Sequence, residues 1–260
     1  MDISSRTAWI VGGTSGIGLG LARRLVAEGG TVIVGGRDTS KVAALAAAHP
    51  DDADLARIET VEIDVADPAS IARARDEVLT AHPDLDLVVT MSGVMLIEDL
   101  RDPAHVDAAE ATVAVNLLGT IRVIDAVTPH LLARGAGDIV TVSSGIAFLP
   151  FPLMPTYAAT KAGVHAYSEA LRAQLAGTGV NVTELVPPSV ATVPEALELN
   201  PAALPLDDYL DETLALLASE PTPREILVQK VQMHRWAERD GSYDELVAAR
   251  SAALASLPGR

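Results

Sequence analysis

The 260-residue chain contains no cysteine. Disulfide bonds, thiol nucleophiles and cysteine-bound metal sites are therefore excluded. The six histidines show no metal-ligand spacing, so we predict no metal site. No uninterrupted apolar run reaches the ~18–20 residues that span a bilayer, and the N-terminus lacks the charged-then-apolar pattern of a secretory signal. We therefore expect a soluble, cytoplasmic protein without a membrane partner.

Positive charge is scarce as well. The chain has 19 lysines and arginines against 35 acidic residues, which gives a formal net charge of −16. A field of this sign disfavours a nucleic-acid backbone or an anionic membrane surface, so neither is a predicted partner. An anionic cofactor would need a local cluster of hydrogen-bond donors. Hydrophobic residues make up 49% of the chain, which is enough for a large core.

Short apolar segments alternate with helical ones over most of the chain. This alternation predicts an α/β fold, a single-domain Rossmann-type doubly wound parallel sheet with helices on both faces, over residues 1–260. The predicted strands are Thr7–Gly12, Thr31–Gly35, Arg57–Ile63, Leu85–Met91, Asp138–Ser143, Val180–Val186 and Glu225–Gln229. The predicted helices are Ile17–Glu28, Lys41–Ala48, Ala69–Ala81, about His105–Arg134, Tyr157–Ala176 and Leu206–Ala218.

The segment after residue 187 differs in composition. Prolines punctuate it, and long segments of this kind inside a compact domain are usually lids or binding loops. We predict a substrate-binding loop and helix at about residues 188–219, and a helical tail over residues 231–260. Apolar residues such as Val193 and Leu197 suggest an apolar lining but identify no substrate.

A glycine-rich turn follows the first predicted strand. Glycines permit a sharp turn and let a pyrophosphate approach the N-terminus of the next helix, where free N–H groups favour an anion. A simple tight turn would use the same residues. Its position between a strand and a helix favours cofactor binding, and the candidate residues are Gly12, Thr14, Ser15, Gly16, Ile17 and Gly18.

Two further positions bear on the cofactor. Gly36 stands where an acid would accept hydrogen bonds from the adenosine ribose, and Arg37 follows it. An arginine can bind a 2′-phosphate in bidentate fashion, which favours NADP(H) over NAD(H). Alternatively, Arg37 could form a local ion pair with Asp38. Asp64 is placed to accept a hydrogen bond from adenine, although a cap or turn role fits its spacing nearly as well.

Tyr157 and Lys161 are four residues apart in a chain with only four tyrosines and three lysines. On a helix this spacing puts both side chains on one face. A neighbouring cation favours the phenolate, so we expect Lys161 to lower the pKa of Tyr157. An incidental surface pair would show the same spacing.

Together with Asn116 and Ser144, these motifs give the chain a clear resemblance over residues 6–190. It resembles the short-chain dehydrogenase/reductase family. The run Gly-Gly-Thr-Ser-Gly-Ile-Gly-Leu and the segment Glu184-Leu185-Val186-Pro187-Pro188 are similar to a DltE-like branch of that family.

The resemblance implies a role for each matching residue. Tyr157 would be the general acid/base, Lys161 would hold the nicotinamide ribose, and Ser144 would orient the substrate. Asn116 would kink its helix and anchor a water in the proton relay. Further implied cofactor contacts are Val65, Gly93, Pro187, Val190 and Thr192. The family also implies a homodimer or homotetramer, formed through the helices that contain Asn116 and Tyr157.

One segment departs from the family pattern, because Thr90-Met91-Ser92-Gly93 replaces the usual Asn-Asn-Ala-Gly. We expect altered local stability or a modified pocket there. The implied function is an NADP(H)-dependent oxidoreductase that transfers hydride between nicotinamide and a carbonyl or secondary alcohol of a small, apolar substrate. Two alternatives stay open: a redox-neutral isomerase or epimerase on the same scaffold, and a non-catalytic NADP-binding regulator.

Overall fold

The computed structural model of the protein describes residues 1–193 and 195–259. Pro194, in the predicted substrate loop, and Arg260, at the end of the predicted tail, lie outside the described residues. A central sheet of seven parallel strands has the order β3-β2-β1-β4-β5-β6-β9. The strands are β1 (Thr7–Val11), β2 (Thr31–Gly36), β3 (Glu59–Glu62), β4 (Leu87–Thr90), β5 (Gly137–Val142), β6 (Val180–Leu185), β7 (Val190–Ala191), β8 (Leu204–Pro205) and β9 (Glu225–Ile226), of which β7 and β8 form a separate pair.

Helices cover both faces of this sheet, so the predicted doubly wound α/β fold is confirmed. The helices are α1 (Gly16–Ala27), α2 (Ser40–Ala48), α3 (Ala53–Ala56), α4 (Pro68–Ala81), α5 (His105–Val113), α6 (Thr120–Arg134), α7 (Pro155–Gln174), α8 (Glu195–Leu199), α9 (Leu206–Leu217), α10 (Gln232–Arg235), α11 (Ala237–Asp240) and α12 (Tyr243–Ser251). Short 3₁₀ turns lie at Gly145–Ala147, Gln229–Val231 and Ala252–Ser256.

The alternation of side chains along β1 explains the two layers. Ala8 and Ile10 point into a core shared with α1 and α9, whereas Trp9 and Val11 point into a second core shared with α4 and α6. Successive strand residues face opposite sides of a sheet, and a strand covered on both faces is therefore apolar throughout. All five residues of β1 are buried.

The strand order reverses between β1 and β4. From β1 the chain winds outward through β2 to β3, and after β4 it continues in the other direction through β5 and β6. In open α/β sheets, ligands bind outside the carboxyl ends of the strands at this reversal. The fold therefore brings the glycine turn after β1 close to the segment that follows β4.

The long predicted helix over His105–Arg134 is interrupted by one π-helical segment, Ala114–Gly119, between α5 and α6. This stretch is long and apolar enough to cross a membrane by length and composition, with a mean hydropathy of 1.4. Core helices share these properties, and the sheet-facing side chains of α6, such as Val123 and Val127, are buried in the core. The composition is therefore weak support for a membrane span.

The tail is more divided than predicted. A helical tail was predicted over residues 231–260, whereas the structure divides this segment into three short helices and a 3₁₀ turn. Gly241 adopts a left-handed conformation at φ +72° and ends α11. A left-handed residue ends a right-handed helix, and glycine adopts this conformation without a steric penalty.

Candidate active site

The glycine turn brings three chain segments closer together than side chains would permit. A Cβ atom on Gly12 would lie 2.4 Å from the backbone nitrogen of Ser92, and one on Gly18 would lie 2.5 Å from the carbonyl oxygen of Gly12. Ser15 has extended backbone before α1, and its side chain caps none of the N–H groups of this helix that the structure describes. These N–H groups can therefore receive an anion such as a pyrophosphate.

Arg37 stands at the rim of the cleft beside this turn. It is exposed, and no described residue forms a hydrogen bond or ion pair with it. Asp38 instead accepts hydrogen bonds from the N–H and hydroxyl of Ser40, at 3.1 and 2.5 Å, and lies 4.0 Å from Lys41. The alternative of a local ion pair between Arg37 and Asp38 is therefore wrong.

The cleft itself has a volume of about 400 Å³. Its lining includes most of the predicted cofactor residues: Gly12, Thr14, Ser15, Ile17, Gly18, Arg37, Asp64, Val65, Gly93 and Thr192. Gly16 also belongs to this region, because its Cβ would lie 3.3 Å from the Thr192 methyl group. Val190 is placed differently: it packs against the core on the α1 side of the sheet.

Asp64 performs the turn role that the sequence left open. Its Oδ1 accepts a hydrogen bond from the N–H of Ala66 at 2.9 Å, and its own N–H donates to the Ser70 hydroxyl at 3.0 Å. The carboxylate nevertheless lines the cleft. A carboxylate has two acceptor oxygens, so one turn bond leaves capacity for a ligand.

The π-helical segment places Asn116 beside the loop that follows β4. The Asn116 side chain is fully buried; Oδ1 accepts from the Val94 N–H at 2.8 Å, and Nδ2 donates to the Val94 carbonyl at 2.9 Å. The Asn116 carbonyl accepts the Thr120 hydroxyl at 2.8 Å. A Cβ on Gly93 would lie 3.5 Å from Asn116 Oδ1 and 3.9 Å from Lys161 Nζ. The expected kink is thus a widened helical turn.

The segment that departs from the family pattern is tied to the sheet by a hydroxyl. Thr90 is buried, and its Oγ1 lies 3.4 Å from the Val140 carbonyl on β5. This is a long hydrogen bond from one short side chain, where the family pattern has an amide. Gly93 remains accessible at the cleft.

Ser144 follows β5 and is held by backbone. Its Oγ donates to the Pro187 carbonyl at 3.3 Å and accepts from the Ile146 N–H at 3.3 Å. The Pro187 carbonyl also accepts the Gly145 N–H at 2.9 Å, which fixes the segment after β6 against the serine turn.

Tyr157 and Lys161 lie on α7, which runs along this edge. Burial raises the pKa of Tyr157, and the neighbouring Ser144 side chain opposes this rise. The expected lowering of this pKa by Lys161 is therefore wrong for the protein alone, because desolvation of the phenolate dominates. Lys161 Nζ is 5.7 Å from the phenol ring centre and donates to the Val142 carbonyl at 2.8 Å. Burial lowers the pKa of Lys161 to about 8.

Comparison with known proteins bears on this arrangement. The sequence pattern of the family described as short chain dehydrogenase matches residues 6–198. The chain belongs to the short-chain dehydrogenase family. The uncharacterized oxidoreductase DltE of Bacillus subtilis strain 168 is 35% identical over 195 residues, which are 74% of each chain. The uncharacterized oxidoreductase SSP0419 of Staphylococcus saprophyticus is 32% identical over 74% of this chain and 81% of its own. The predicted DltE-like branch is thus confirmed.

Solved structures of short-chain dehydrogenases share the fold. A short-chain dehydrogenase from Streptomyces avermitilis superposes with a TM-score of 0.78 at 24% identity, covering 97% of this chain and 100% of its own. One from Burkholderia cenocepacia J2315, in complex with NADP, gives a TM-score of 0.77 at 24% identity, with coverages of 99% and 100%. An alcohol dehydrogenase from Thermococcus sibiricus, complexed with 5-hydroxy-NADP, gives 0.74 at 23% identity, with coverages of 86% and 95%.

This short-chain dehydrogenase also has a buried carboxylate beside the tyrosine that the sequence interpretation missed. Glu98 accepts the N–H of Thr156 at 3.0 Å and its hydroxyl at 2.8 Å, while the Glu98 N–H donates to the Leu153 carbonyl at 2.9 Å. His105 lies 3.4 Å from the same carboxylate. Glu98 thereby anchors the first turn of α7, immediately before Tyr157. An acid between apolar residues in Met95–Leu100 is the sequence signal that pointed to it.

A second missed group lies under Lys161. His165, Glu184 and Glu225 bring one nitrogen and two carboxylate oxygens within 4.8 Å of one another. His165 lies four residues beyond Lys161 on α7, on the same helix face. Glu184 offered a signal, since it is an acid inside the otherwise apolar end of strand β6.

Proposed function

We propose that this short-chain dehydrogenase is an NADP(H)-dependent oxidoreductase acting on a carbonyl or secondary alcohol. The observation that carries the proposal is the grouping of three side chains: the Lys161 ammonium lies 5.7 Å from the ring centre of Tyr157, and the Ser144 hydroxyl opposes the rise in the pKa of the Tyr157 phenol. A phenol beside a fixed hydroxyl can donate a proton to a substrate oxygen bound between them. Family membership supports the same chemistry.

The cleft supports the assignment of a dinucleotide. Gly12 and Gly18 allow the turn to fold tightly against Ser92 and against itself, and the N-terminus of α1 offers free N–H groups beside them. Arg37 lines the cleft without an ion-pair partner among the described residues, which suits a 2′-phosphate. The neighbours from Burkholderia cenocepacia and Thermococcus sibiricus were solved with NADP and a derivative of it. The bound nicotinamide would supply or accept the hydride.

Residues of the chain would bind the substrate oxygen and transfer the proton. The Ser144 hydroxyl would donate to the substrate oxygen and stabilise the negative charge that develops there. Tyr157 Oη would deliver the proton to that oxygen, or remove it from an alcohol. The Lys161 ammonium, close to the phenol, would favour its ionised form once a ligand excludes water and orders the site. Asn116 would hold the cleft wall through Val94.

Residues 188–219 would cover the substrate, and their apolar exposed side chains support a small, apolar molecule. Val193 is 54% exposed and Leu197 37% exposed. We further propose a homodimer or homotetramer formed through α5, the π-helical segment and α7. Leu118, 40% exposed on the π-helical segment, supports this surface. Light scattering coupled to size-exclusion chromatography measures the oligomeric state.

The test is NADPH oxidation by the purified protein against a broad panel of aldehydes and ketones. Tyr157→Phe should abolish turnover while leaving NADPH affinity nearly unchanged. Tyr167→Phe is the matched control, since Tyr167 lies on the same helix and bonds Asp125 away from the cleft; its turnover should be unaffected. Turnover that survives in Tyr157→Phe would refute the mechanism. NADPH binding without oxidation of any panel member would favour the isomerase or regulator alternatives.

A further inference from the structure

A fully buried carboxylate lies beneath the catalytic helix. Glu184, on β6, has no exposed surface. Its Oε2 lies 2.9 Å from His165 Nδ1, while its Oε1 has no hydrogen-bond partner within the described parts of the chain. Burying a carboxylate is costly unless cations or donors compensate it. Glu184 must therefore be compensated by the groups around it.

His165 connects Glu184 to a second acid. Its Nδ1 also lies 3.5 Å from Glu225 Oε1 on β9. Arg235, from the tail, places its Nε 3.0 Å from each oxygen of Glu225. The Arg235 guanidinium further stacks over the Phe148 ring at 4.4 Å, and this ring meets the His165 ring edge-on at 4.7 Å. The cluster therefore holds Glu184 from its outer side.

Lys161 lies on the inner side. Lys161 and His165 are four residues apart on α7, and such residues share a helix face. Lys161 Nζ donates to the carbonyl of Val142 on β5, and the neighbouring pair in that strand register joins Thr141 to Glu184. Lys161 is 5% exposed, so solvent screens its interaction with Glu184 only weakly.

The donor set of His165, Glu184 and Glu225 also meets the minimum for a metal ion. Its charge argues against one. Arg235 already donates to both oxygens of Glu225, and the Lys161 ammonium supplies a second positive charge on the other side. The two carboxylates are thus neutralised by side chains of the chain itself, and an added divalent cation would meet repulsion from both.

We propose that Glu184 is a positioning residue that keeps the Lys161 ammonium charged in the active site, and that His165, Glu225 and Arg235 hold its carboxylate in place. The inference rests on the proposed function in one respect, namely that Lys161 acts on the phenol and the cofactor ribose. Without Glu184, burial alone would favour the neutral amine, which could neither attract a phenolate nor donate three hydrogen bonds.

The directions of the pKa shifts agree with this placement. Burial lowers the pKa of Lys161 to about 8, and attraction by Glu184 opposes it. The hydrogen bond with Glu184 raises the pKa of His165, as do the charges of Glu184 and Glu225, while burial and Arg235 lower it. When His165 is protonated, its positive charge offsets part of the negative charge of Glu184, so Glu184 stabilises the Lys161 ammonium less.

The experiment measures the titration of Lys161 directly. The chain has three lysines, Lys41, Lys161 and Lys230. In protein labelled with ¹⁵N and ¹³C lysine, their side-chain nitrogens give three NMR resonances, which Lys161→Met assigns. No cofactor or substrate is present. Glu184→Gln should lower the Lys161 midpoint by about one pH unit or more, as expected for removal of an adjacent opposite charge. An unchanged midpoint would overturn the proposal.

Two controls separate this effect from a general loss of charge or of structure. Glu225→Gln removes a carboxylate from the same cluster and should leave the Lys161 midpoint unchanged while lowering that of His165. His165→Gln retains Glu184 and should leave the Lys161 midpoint at or above its original value, which keeps a test available if Glu184→Gln does not fold. If either control lowers the Lys161 midpoint by as much as Glu184→Gln does, Glu184 is not the residue that keeps Lys161 charged.

Activity gives the second readout. In Glu184→Gln, the alkaline limb of the pH profile of kcat/KM should move to lower pH by the same amount as the NMR midpoint. A purely structural role would lower kcat/KM at every pH and leave the limb in place, which would overturn the proposal. An NMR shift in a protein without turnover would support the charge relationship and refute the proposed function instead.

Discussion

The amide of Asn116 makes both of its short hydrogen bonds with a single residue, Val94: Oδ1 accepts from the Val94 N–H at 2.8 Å, and Nδ2 donates to the Val94 carbonyl at 2.9 Å. Asn116 lies in the π-helical segment, and Val94 lies in the loop after β4. The pair therefore joins the helix that precedes the active site to the wall of the cofactor cleft. An amide is the side chain that offers one donor and one acceptor in this geometry.

Replacing Asn116 with alanine should leave the two Val94 backbone groups without these partners. We expect a loss of about 2 kcal/mol in the free energy of unfolding, together with weaker NADPH binding because the cleft wall is released. Urea unfolding and NADPH fluorescence titration measure the two effects. Asn181→Ala is the control, since Asn181 is exposed on β6 and its side chain donates to the Asp138 side chain at 3.2 Å. Equal losses in both variants would contradict the role of Asn116.

Arg37 should discriminate between the two dinucleotides. Arg37→Ala is expected to weaken NADPH binding by about tenfold to a hundredfold, the range for charged hydrogen bonds, and to change NADH binding little. Lys41→Ala is the matched control, because Lys41 lines the same cleft but is 63% exposed and lies beside Asp38. It should have the smaller effect. Equal weakening of NADPH and NADH by Arg37→Ala would refute binding of the 2′-phosphate by Arg37.

Converting the chain to NADH use should require two substitutions rather than one. A Cβ on Gly36 would lie 2.7 Å from the Thr14 methyl group and 2.9 Å from its hydroxyl. Gly36→Asp alone should therefore lower both protein stability and affinity for either dinucleotide. Gly36→Asp combined with Thr14→Gly should recover stability and bind NADH more tightly than NADPH. If Gly36→Asp alone binds NADH tightly, Thr14 does not hinder a side chain at position 36.

His234 should make the protein less stable in acid. Burial, together with the charge of Arg250, whose guanidinium lies 2.8 Å from His234 Nε2, lowers the pKa of His234 to about 4. Between pH 6.5 and 4 the unfolded chain therefore binds more protons at this residue, and stability is lost as the pH falls through this window. We expect about 1–2 kcal/mol after allowing for solvent screening at this half-buried site.

The measurement compares the native sequence with His234→Asn by chemical unfolding at several pH values from 7 to 4. The variant cannot titrate at this position, so its stability should fall less steeply and the gap between the two should narrow in acid. Parallel curves would contradict a neutral, buried His234.

The sequence predicted the sheet well because its strands are locally apolar and are separated by recognisable helices. The segments Thr7–Gly12 and Val180–Val186 illustrate this, since each was placed to within about a residue of the observed strand. The tail was predicted less well, because its short helices depend on contacts with distant segments. Arg250, for example, donates a hydrogen bond to the carbonyl of Leu149.

The same distinction between local patterns and distant contacts applies to the candidate site. Tyr157, Lys161 and Ser144 were identified by short motif spacings. The partners that set their environment come from elsewhere: Glu184 is 19 residues beyond His165, and Glu98 is 58 residues before Thr156. Local patterns carry no information about which distant side chains meet. The raised pKa of Tyr157 was missed for a related reason, because burial follows from the complete fold.

The contrast between Glu98 and its neighbours shows which positions of this loop tolerate substitution. Its neighbours Met95 and Ile97 are 59% and 62% exposed, whereas Glu98 itself is 2% exposed and anchors the turn before Tyr157. In this loop, Glu98 is therefore held in place by its hydrogen bonds, whereas Met95 and Ile97 are exposed to solvent. Side chains at positions 95 and 97 can therefore change without disturbing that anchor. A library randomised at these positions, with Glu98 retained, would keep the acid in place while varying the molecules that reach it.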